Sequence, residues 1–334
     1  MIQFFVTLLP NLSKDHFQMK TKVLFLSAIL ASVTLNSVAH SAVFNLATEK
    51  QNIELKQSPK KIAVYDLSIL DTLNALNIQA QIVPKATFTG SLTKYNQAQF
   101  IKAGSLFEPD LAQLKQLKPD LIFVGGRSAK TLQSLQPIAA TVDLSAKTEH
   151  YMSDLKNRTL TLAKAFKRED MAAQKLKDLD QLQLKVKEQT ANKSAVMLFA
   201  VGDNYMPHAA NDRFGFIHEL TGFKSVLPLT EKTDTARPEA GSVEALAAEK
   251  KNVELLKSAV QQNPDYVIVL DRGAVNTQKY ASKQGIKTHP VLGQSQAVKQ
   301  NRVIFVNADA WYITGAGLDN TAFMLKEIAA GISK

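Results

Sequence analysis

Arg168-Glu-Asp-Met-Ala-Ala-Gln-Lys-Leu-Lys-Asp-Leu-Asp-Gln-Leu-Gln-Leu-Lys-Val-Lys-Glu-Gln-Thr190 is the stretch around which the rest of the chain is organised. It holds neither Pro nor Gly. Its apolar residues Ala172, Leu176, Leu179, Leu182 and Val186 recur three and four apart, so one helical face is apolar and the remainder is charged. As one helix it spans about 34 Å, enough to cross a small domain. Its flanks make it a connector. Upstream the chain reads Lys118-Pro-Asp-Leu-Ile-Phe-Val-Gly-Gly-Arg127, and downstream Asn263-Pro-Asp-Tyr-Val-Ile-Val-Leu-Asp-Arg272. In both, Pro-Asp leads into an apolar run and an Arg stands eight residues after the Pro. The pattern predicts two similar α/β halves, 43–167 and 191–334, joined by a stiff helix at 168–190.

Each half alternates strand and helix signals. In the first, 61–65 reads as a strand, 67–76 as an amphipathic helix and 78–83 as a returning strand. Residues 85–105 are polar and read as a surface loop. Glu108-Pro-Asp110 opens a helix, with Pro early and carboxylates in the first turn. The run 121–124 reads as a strand buried on both faces, Ser128 stands where it would cap the next helix, and 141–144 closes the half. In the second, strands are expected at 195–201, 266–270 and 303–306, and polar loops at 202–212 and 231–241. Helices are expected from 213 to a Gly222 cap, at 243–260 and at 318–332. Such alternation predicts two Rossmann-like lobes, parallel or mixed sheets flanked by helices, with a ligand cleft beyond the carboxyl ends of the strands.

Composition bounds the rest. At 334 residues the chain is long enough for two cores, and its charged fraction of 21% fits a globular protein. Formal charge is +10, yet only seven of the forty basic residues are Arg. Basic residues neither cluster nor interleave with aromatics, which argues against nucleic acid. There is no Cys, which excludes disulfides, thiol catalysis and a lipidated N-terminal Cys. Met19-Lys-Thr-Lys22, the apolar run 23–35 and the small residues Ser37, Ala39, Ser41 and Ala42 read as a secretory signal peptide cut after Ala39 or Ala42. Residues 1–42 are thus an upstream and targeting segment, and the mature chain is expected in the periplasm of a two-membrane bacterium.

Three of the seven Arg residues, Arg127, Arg213 and Arg272, fall just past strand ends or at a helix start. A guanidinium is always charged and offers a planar fork of donors to oxygen anions. Three across one cleft suit a multiply anionic ligand; taken singly, each also fits a structural pair such as Asp271 with Arg272. Trp311 and Tyr312 offer a stacking surface and a phenol, or core packing under the last helix. His208 and His218 lack a third ligand at metal spacing, so no dedicated zinc or manganese site is expected. Arg158, on the helical segment before the connector, is expected to leave ligand binding unchanged when replaced by Ala. No phosphate loop, nucleophile elbow or His-Glu-x-x-His motif occurs.

Seven stretches together resemble the periplasmic ferric-siderophore binding proteins of ABC importers, of the ferric-enterobactin and ferric-anguibactin receptor type. They are Val64-Tyr-Asp-Leu-Ser-Ile-Leu-Asp-Thr-Leu-Asn-Ala-Leu76, Glu108-Pro-Asp110, Leu117-Lys-Pro-Asp-Leu-Ile122, Asn211-Asp-Arg-Phe-Gly-Phe-Ile-His218, Asn263-Pro-Asp-Tyr266, Asp271-Arg272, and Trp311-Tyr312 with Gly315. The resemblance spans nearly all of 50–334. It implies two α/β lobes on a single helical hinge, a non-enzymatic capture role and a likeness to relatives that hold an anionic iron complex with an Arg triad, matched here by Arg127, Arg213 and Arg272. It also implies Tyr312 and Trp311 in the site, and one carboxylate per lobe, Glu108 and Glu244, meeting an inner-membrane permease.

One departure matters. Some relatives carry a His that joins the Tyr matching Tyr312 in ligating iron. Here Thr235-Ala-Arg-Pro-Glu-Ala-Gly241 has no His, although Arg237 adds charge. The resemblance therefore implies a ferric siderophore that fills the iron's coordination sphere itself or as two copies, with no intrinsic cofactor and no protein metal ligand. Tyr312 would ligate only if the siderophore left iron unsaturated. A monomer is expected. The alternatives are a haem or cobalamin binder of the same architecture and an extracytoplasmic siderophore-modifying enzyme; the latter lacks a nucleophile–base constellation.

Overall fold

The computed structural model describes residues 44–231, 239 and 241–333, which fall in one compact unit, Ser41–Lys334. The signal-peptide expectation and Arg237 lie outside the described residues. The chain opens with an antiparallel hairpin of β1 (Phe44–Ala47) and β2 (Asn52–Leu55). Then come β3 (Ile62–Val64), α1 (Leu67–Ala75), β4 (Ile82–Val83), β5 (Ile101–Lys102), α2 (Leu111–Leu117), β6 (Leu121–Val124), α3 (Leu132–Leu135) and β7 (Ala140–Asp143). These strands form an all-parallel sheet in the order β5-β4-β3-β6-β7. All four residues of β6 are buried, as expected of a strand covered on both faces. Leu67, Leu70 and Leu73 of α1 cover one side of the sheet, and Leu114 and Leu135 cover the other.

Two helices lead out of this sheet, α4 (Tyr151–Phe166) and α5 (Glu169–Thr190). The expected connector is α5, which starts one residue after the predicted boundary. Ala172, near its start, packs in the first sheet's core, whereas Leu176, Leu179 and Val186 pack with the second sheet. α4 lies beside it and also serves both cores. Its first turn stacks Tyr151 on Phe216, with ring centroids 4.7 Å apart, and its last turn places Leu162, Ala163 and Ala165 in the first sheet's core.

The second sheet follows: β8 (Ser194–Val201), β9 (Asn204–His208), α6 (Phe216–Thr221), β10 (Lys224–Ser225), α7 (Val243–Gln261), β11 (Tyr266–Asp271), α8 (Ser282–Gly285), α9 (Gln296–Lys299), β12 (Val303–Phe305) and α10 (Leu318–Ile332). Its order is β10-β8-β11-β12, all parallel, with β9 antiparallel to β8. Helices cover both faces again: α5, α6 and α10 on one, α7 and α9 on the other.

Two expectations change and a third holds in modified form. Residues 85–105 are not a surface loop: Phe88, Leu92, Tyr95 and Phe100 are buried and the segment ends in edge strand β5. Residues 202–212 are not all loop, because Gly202 and Asp203 turn β8 back into β9. Ser128 does cap the helical turn 126–131, from inside its first turn. Its hydroxyl is buried, accepting from Gly125 N at 3.1 Å and donating to Tyr65 O at 3.0 Å.

Candidate functional site: three guanidinium groups around one phenol

The residues after β12 fold into a π-helical turn, Asp309–Thr314, closed by Gly315 N donating to Ala310 O at 2.9 Å. A π-turn inserts one residue into the helical path and recurs at functional sites. Here it turns two adjacent aromatics to opposite sides. Trp311 is 2% exposed, stacks on Phe216 at 5.8 Å, and its indole N–H donates to Glu327 Oε2 at 2.7 Å. The expectation that Trp311 lines the site is therefore corrected: a buried indole satisfied by a half-buried carboxylate belongs to the core. Tyr312 faces the other way and stays half-buried.

The carboxyl ends of β6, β11 and β12 meet at Tyr312. Arg127 lies just past β6, after Gly126, whose φ of 48° favours glycine. Its Nη2 donates to Tyr312 O at 2.6 Å and its Nη1 to Ile313 O at 3.4 Å, across the two halves. Arg272 follows β11, and Arg213 sits in the turn before α6. The guanidinium carbons of Arg127, Arg213 and Arg272 stand 5.4, 5.1 and 5.1 Å from the centroid of the Tyr312 ring. A ring face attracts cations at this range, so one phenol gathers all three charges. Arg213 also lies 5.0 Å from the ring of Phe214.

Local acids are engaged elsewhere. Asp271 is fully buried and accepts from Gly273 N, Ser282 N and Ser282 Oγ, so the Asp271–Arg272 pair does not form. Asp212 accepts from Ala209 N and Thr230 Oγ1 and shapes the turn that presents Arg213. Among the described residues no ion pair joins Arg127, Arg213 or Arg272 to a carboxylate.

The electrostatics follow. Burial alone would raise the Tyr312 phenol. The Arg213 charge, a hydrogen bond and charge from Arg272, and the Arg127 charge outweigh it, and the phenol lies below its ordinary range. Burial lowers Arg127, partly offset by Asp66. Under the phenol, Phe199 stacks on Phe214 at 5.1 Å and on Tyr312 at 5.6 Å. His208, which sequence reasoning did not place here, packs edge-on against Phe214 at 5.0 Å. Burial lowers its pKa; Asp212 opposes this and Arg213 adds to it. The site thus offers the exposed guanidinium groups of Arg213 and Arg272 and the carbonyl-tied charge of Arg127 over an aromatic floor, which suits a multiply anionic ligand with flat rings.

Glu108 is exposed ahead of α2, and Glu244 is exposed in the first turn of α7. α2 follows β5 and α7 follows β10, each an edge strand of its sheet, so the two carboxylates occupy matching places. Neither reaches the arginine cluster. A separate cavity of about 240 Å³ lies between the β1–β2 hairpin and α4, where Lys50–Asp143, Lys147–Glu49 and Arg158–Asp154 pair with one another. Among the described residues no helix is long and apolar enough to cross a membrane.

Residues 62–310 match the family described as periplasmic binding protein. The chain is 28% identical over 291 residues to the petrobactin-binding protein YclQ of Bacillus subtilis (strain 168), covering 86% of each chain. It is 27% identical over 284 residues to the ferric-anguibactin-binding protein FatB of Vibrio anguillarum, covering 83% of this chain and 84% of that one. The crystal structure of YclQ superposes with a TM-score of 0.75 at 26% identity, covering 87% and 99% of the two chains. The siderophore-binding protein BauB, bound to a complex of two acinetobactin molecules and ferric iron, superposes with a TM-score of 0.73 at 27% identity over 87% and 98%. The match across most of the chain, on a fold of two helix-flanked sheets, means that this chain belongs to the periplasmic binding protein family.

Proposed function

We propose that this protein is the solute-binding component of an ABC iron-uptake system. It captures an anionic ferric siderophore of catecholate or mixed catecholate type in the periplasm and delivers it to an inner-membrane permease. The single observation that carries the reading is the convergence of Arg127, Arg213 and Arg272 on Tyr312. Catecholate oxygens bound to iron still accept hydrogen bonds, and each guanidinium fork can give two. Phe199, Phe214 and Tyr312 supply a floor for catechol rings. The names of YclQ and FatB support a siderophore as the ligand, and the complex in BauB supports one that can bind iron as two copies.

On this reading no protein side chain ligates iron, no cofactor is needed, and the role is binding rather than catalysis by a monomer. Glu108 and Glu244 would meet the permease, one from each half. Charge reversal at either should slow uptake while siderophore binding stays intact; loss of binding would place them on the wrong face. The test of the ligand is direct. Iron(III) bound by three 2,3-dihydroxybenzoates is added to the purified protein and excess is removed by gel filtration. The visible charge-transfer band should stay with the protein, and the ligand should be recovered intact. A protein that keeps no band, or that keeps haem or cobalamin when these are offered instead, ends the siderophore reading.

A further inference from the structure

The π-turn that carries Tyr312 is held from the opposite half of the molecule. α10, which follows it, begins at Gly317 with no side-chain cap of its own. The first N–H groups of a helix have no partner within it and must find one elsewhere. α1 of the first half supplies them. Thr72 Oγ1 accepts from Leu318 N at 3.3 Å and Asp71 Oδ2 accepts from Asn320 N at 2.9 Å. Gly317 makes the approach possible, because a Cβ there would collide with the Asp71 carboxylate.

Asn320 passes this constraint on. Its side-chain amide donates to Ala310 O at 2.9 Å and to Gly315 O at 2.6 Å, one near each end of the π-turn. Tyr312 stands between those two anchors. The path runs from Asp71 through Asn320 to the turn that sets the phenol among the arginines. Ser91 Oγ holds the other oxygen of Asp71 from the first half.

We propose that Asp71, acting through Asn320, is a positioning residue of the ligand site: it fixes the π-turn that presents Tyr312 to Arg127, Arg213 and Arg272. The inference rests on reading that cluster as the ligand site. Asp71 is fully buried, and the groups facing it are Tyr95 from the 90–96 turn, Tyr151 from α4 and Asp319 from α10, none of them a cation. Burial pushes its pKa up to about 6, against hydrogen bonds from Ser91 and Asn320 that lower it. An acid raised in the folded state stabilises the fold most below its unfolded pKa, and that stability is lost as pH rises through the folded value. At neutral pH the charge is a cost, so a neutral isostere that keeps the acceptor should not harm the fold. The geometry, not the charge, is what Asp71 contributes to the site.

The test needs no ligand. Ionisation of Tyr312 is read from ultraviolet difference absorbance against Tyr312→Phe, which cancels the other tyrosines. Asn320→Ala and Asp71→Ala should move Tyr312 ionisation upward by about one pH unit, as the phenol leaves the three charges. Asp71→Asn should move it by less than about half of that, because its amide oxygen still accepts from Asn320 N. Should Asp71→Ala fail to fold, Asn320→Ala and Asp71→Asn still decide the matter. A folded Asn320→Ala protein that titrates Tyr312 like the unaltered one overturns the proposal. The same variants are then titrated with iron(III) tris(2,3-dihydroxybenzoate), with Trp311 quenching as the signal; Asn320→Ala should bind about tenfold more weakly. An unaltered protein that shows no quenching, beside a shifted Tyr312 in Asn320→Ala, would sink the ligand reading and leave the positioning role standing. Tight binding with unshifted Tyr312 in the variants would do the reverse.

Discussion

Arg127 follows β6 and Arg272 follows β11, two buried strands that are each preceded by Pro-Asp, with the Arg eight residues after the Pro in both. In the fold they differ. Arg127 is half-buried and spends its donors on the carbonyls of Tyr312 and Ile313 in the other half. Arg272 is exposed, and its link to Tyr312 is through the phenol. One strand end has been turned into a tie between halves, and its counterpart is left open to a ligand. The difference teaches that position in a repeated motif brings an Arg to the cleft, while dryness and carbonyl partners decide how much the fold depends on it.

Arg158 sharpens that rule most. It is 6% exposed, pairs with Asp154 at 2.7 Å and donates to Ala316 O at 2.9 Å, just after the π-turn. The expectation that Arg158→Ala leaves ligand binding unchanged therefore does not extend to stability. Breaking a buried pair by removing one partner costs about 3 kcal/mol, and Arg158→Ala should lose about that much in urea unfolding. A loss below about 0.5 kcal/mol, the range of surface substitutions, would break the rule.

Arg127→Ala comes next and should show two effects. Two charge-assisted bonds to carbonyls are lost, at a cost of about 2 kcal/mol of stability, and binding of iron(III) tris(2,3-dihydroxybenzoate) should weaken about tenfold or more. Arg272→Ala and Arg213→Ala should show only the second, roughly a ten- to hundredfold loss of affinity with unfolding unchanged. Equal stability losses for Arg127→Ala and Arg272→Ala would erase the comparison. The ties also bear on motion. With Arg127, Arg158 and Asp71 joining the halves beside α4 and α5, the radius of gyration from scattering should hardly change on ligand binding; a large decrease would show that these ties open.

The sequence announced what burial on both faces dictates and hid what depends on distant partners. β6 and β11 were legible as unbroken apolar runs, α5 as a long periodic stretch without breakers, and α10 as one with a Gly only in its last turn. β9 was hidden because Asn204–His208 carries polar residues and Pro207; its readable signal is Gly202-Asp203, a two-residue hairpin turn with Gly202 at φ 59°. Arg158 had a signal too: Tyr151, Leu155, Arg158 and Leu162 share one helical face, so the charge lies on a core stripe. The three arginines were legible because strand ends mark a ligand edge. Which of Trp311 and Tyr312 faces that edge was not, since the π-turn that separates them is fixed by Asn320 and Asp71, far along the chain.

Tyr312→Phe should have the smallest effect, and it tests the chemistry of the site rather than its scaffold. The Phe ring keeps the stacking on Phe199 and Phe214 and the face on which the guanidinium groups sit. What is lost is the hydroxyl, whose pKa the Arg213, Arg272 and Arg127 groups lower. With iron saturated by catecholates, no metal bond goes with it, and a single hydrogen bond is worth about 1 kcal/mol, or roughly fivefold in affinity. The visible band of the bound complex should keep its position. The phenol's lowered pKa makes the opposite outcome chemically accessible, since a phenolate is a good ligand for ferric iron. A loss beyond about a hundredfold together with a shifted band would therefore mean that Tyr312 completes the iron's coordination, and that the arginines serve a siderophore with an open site.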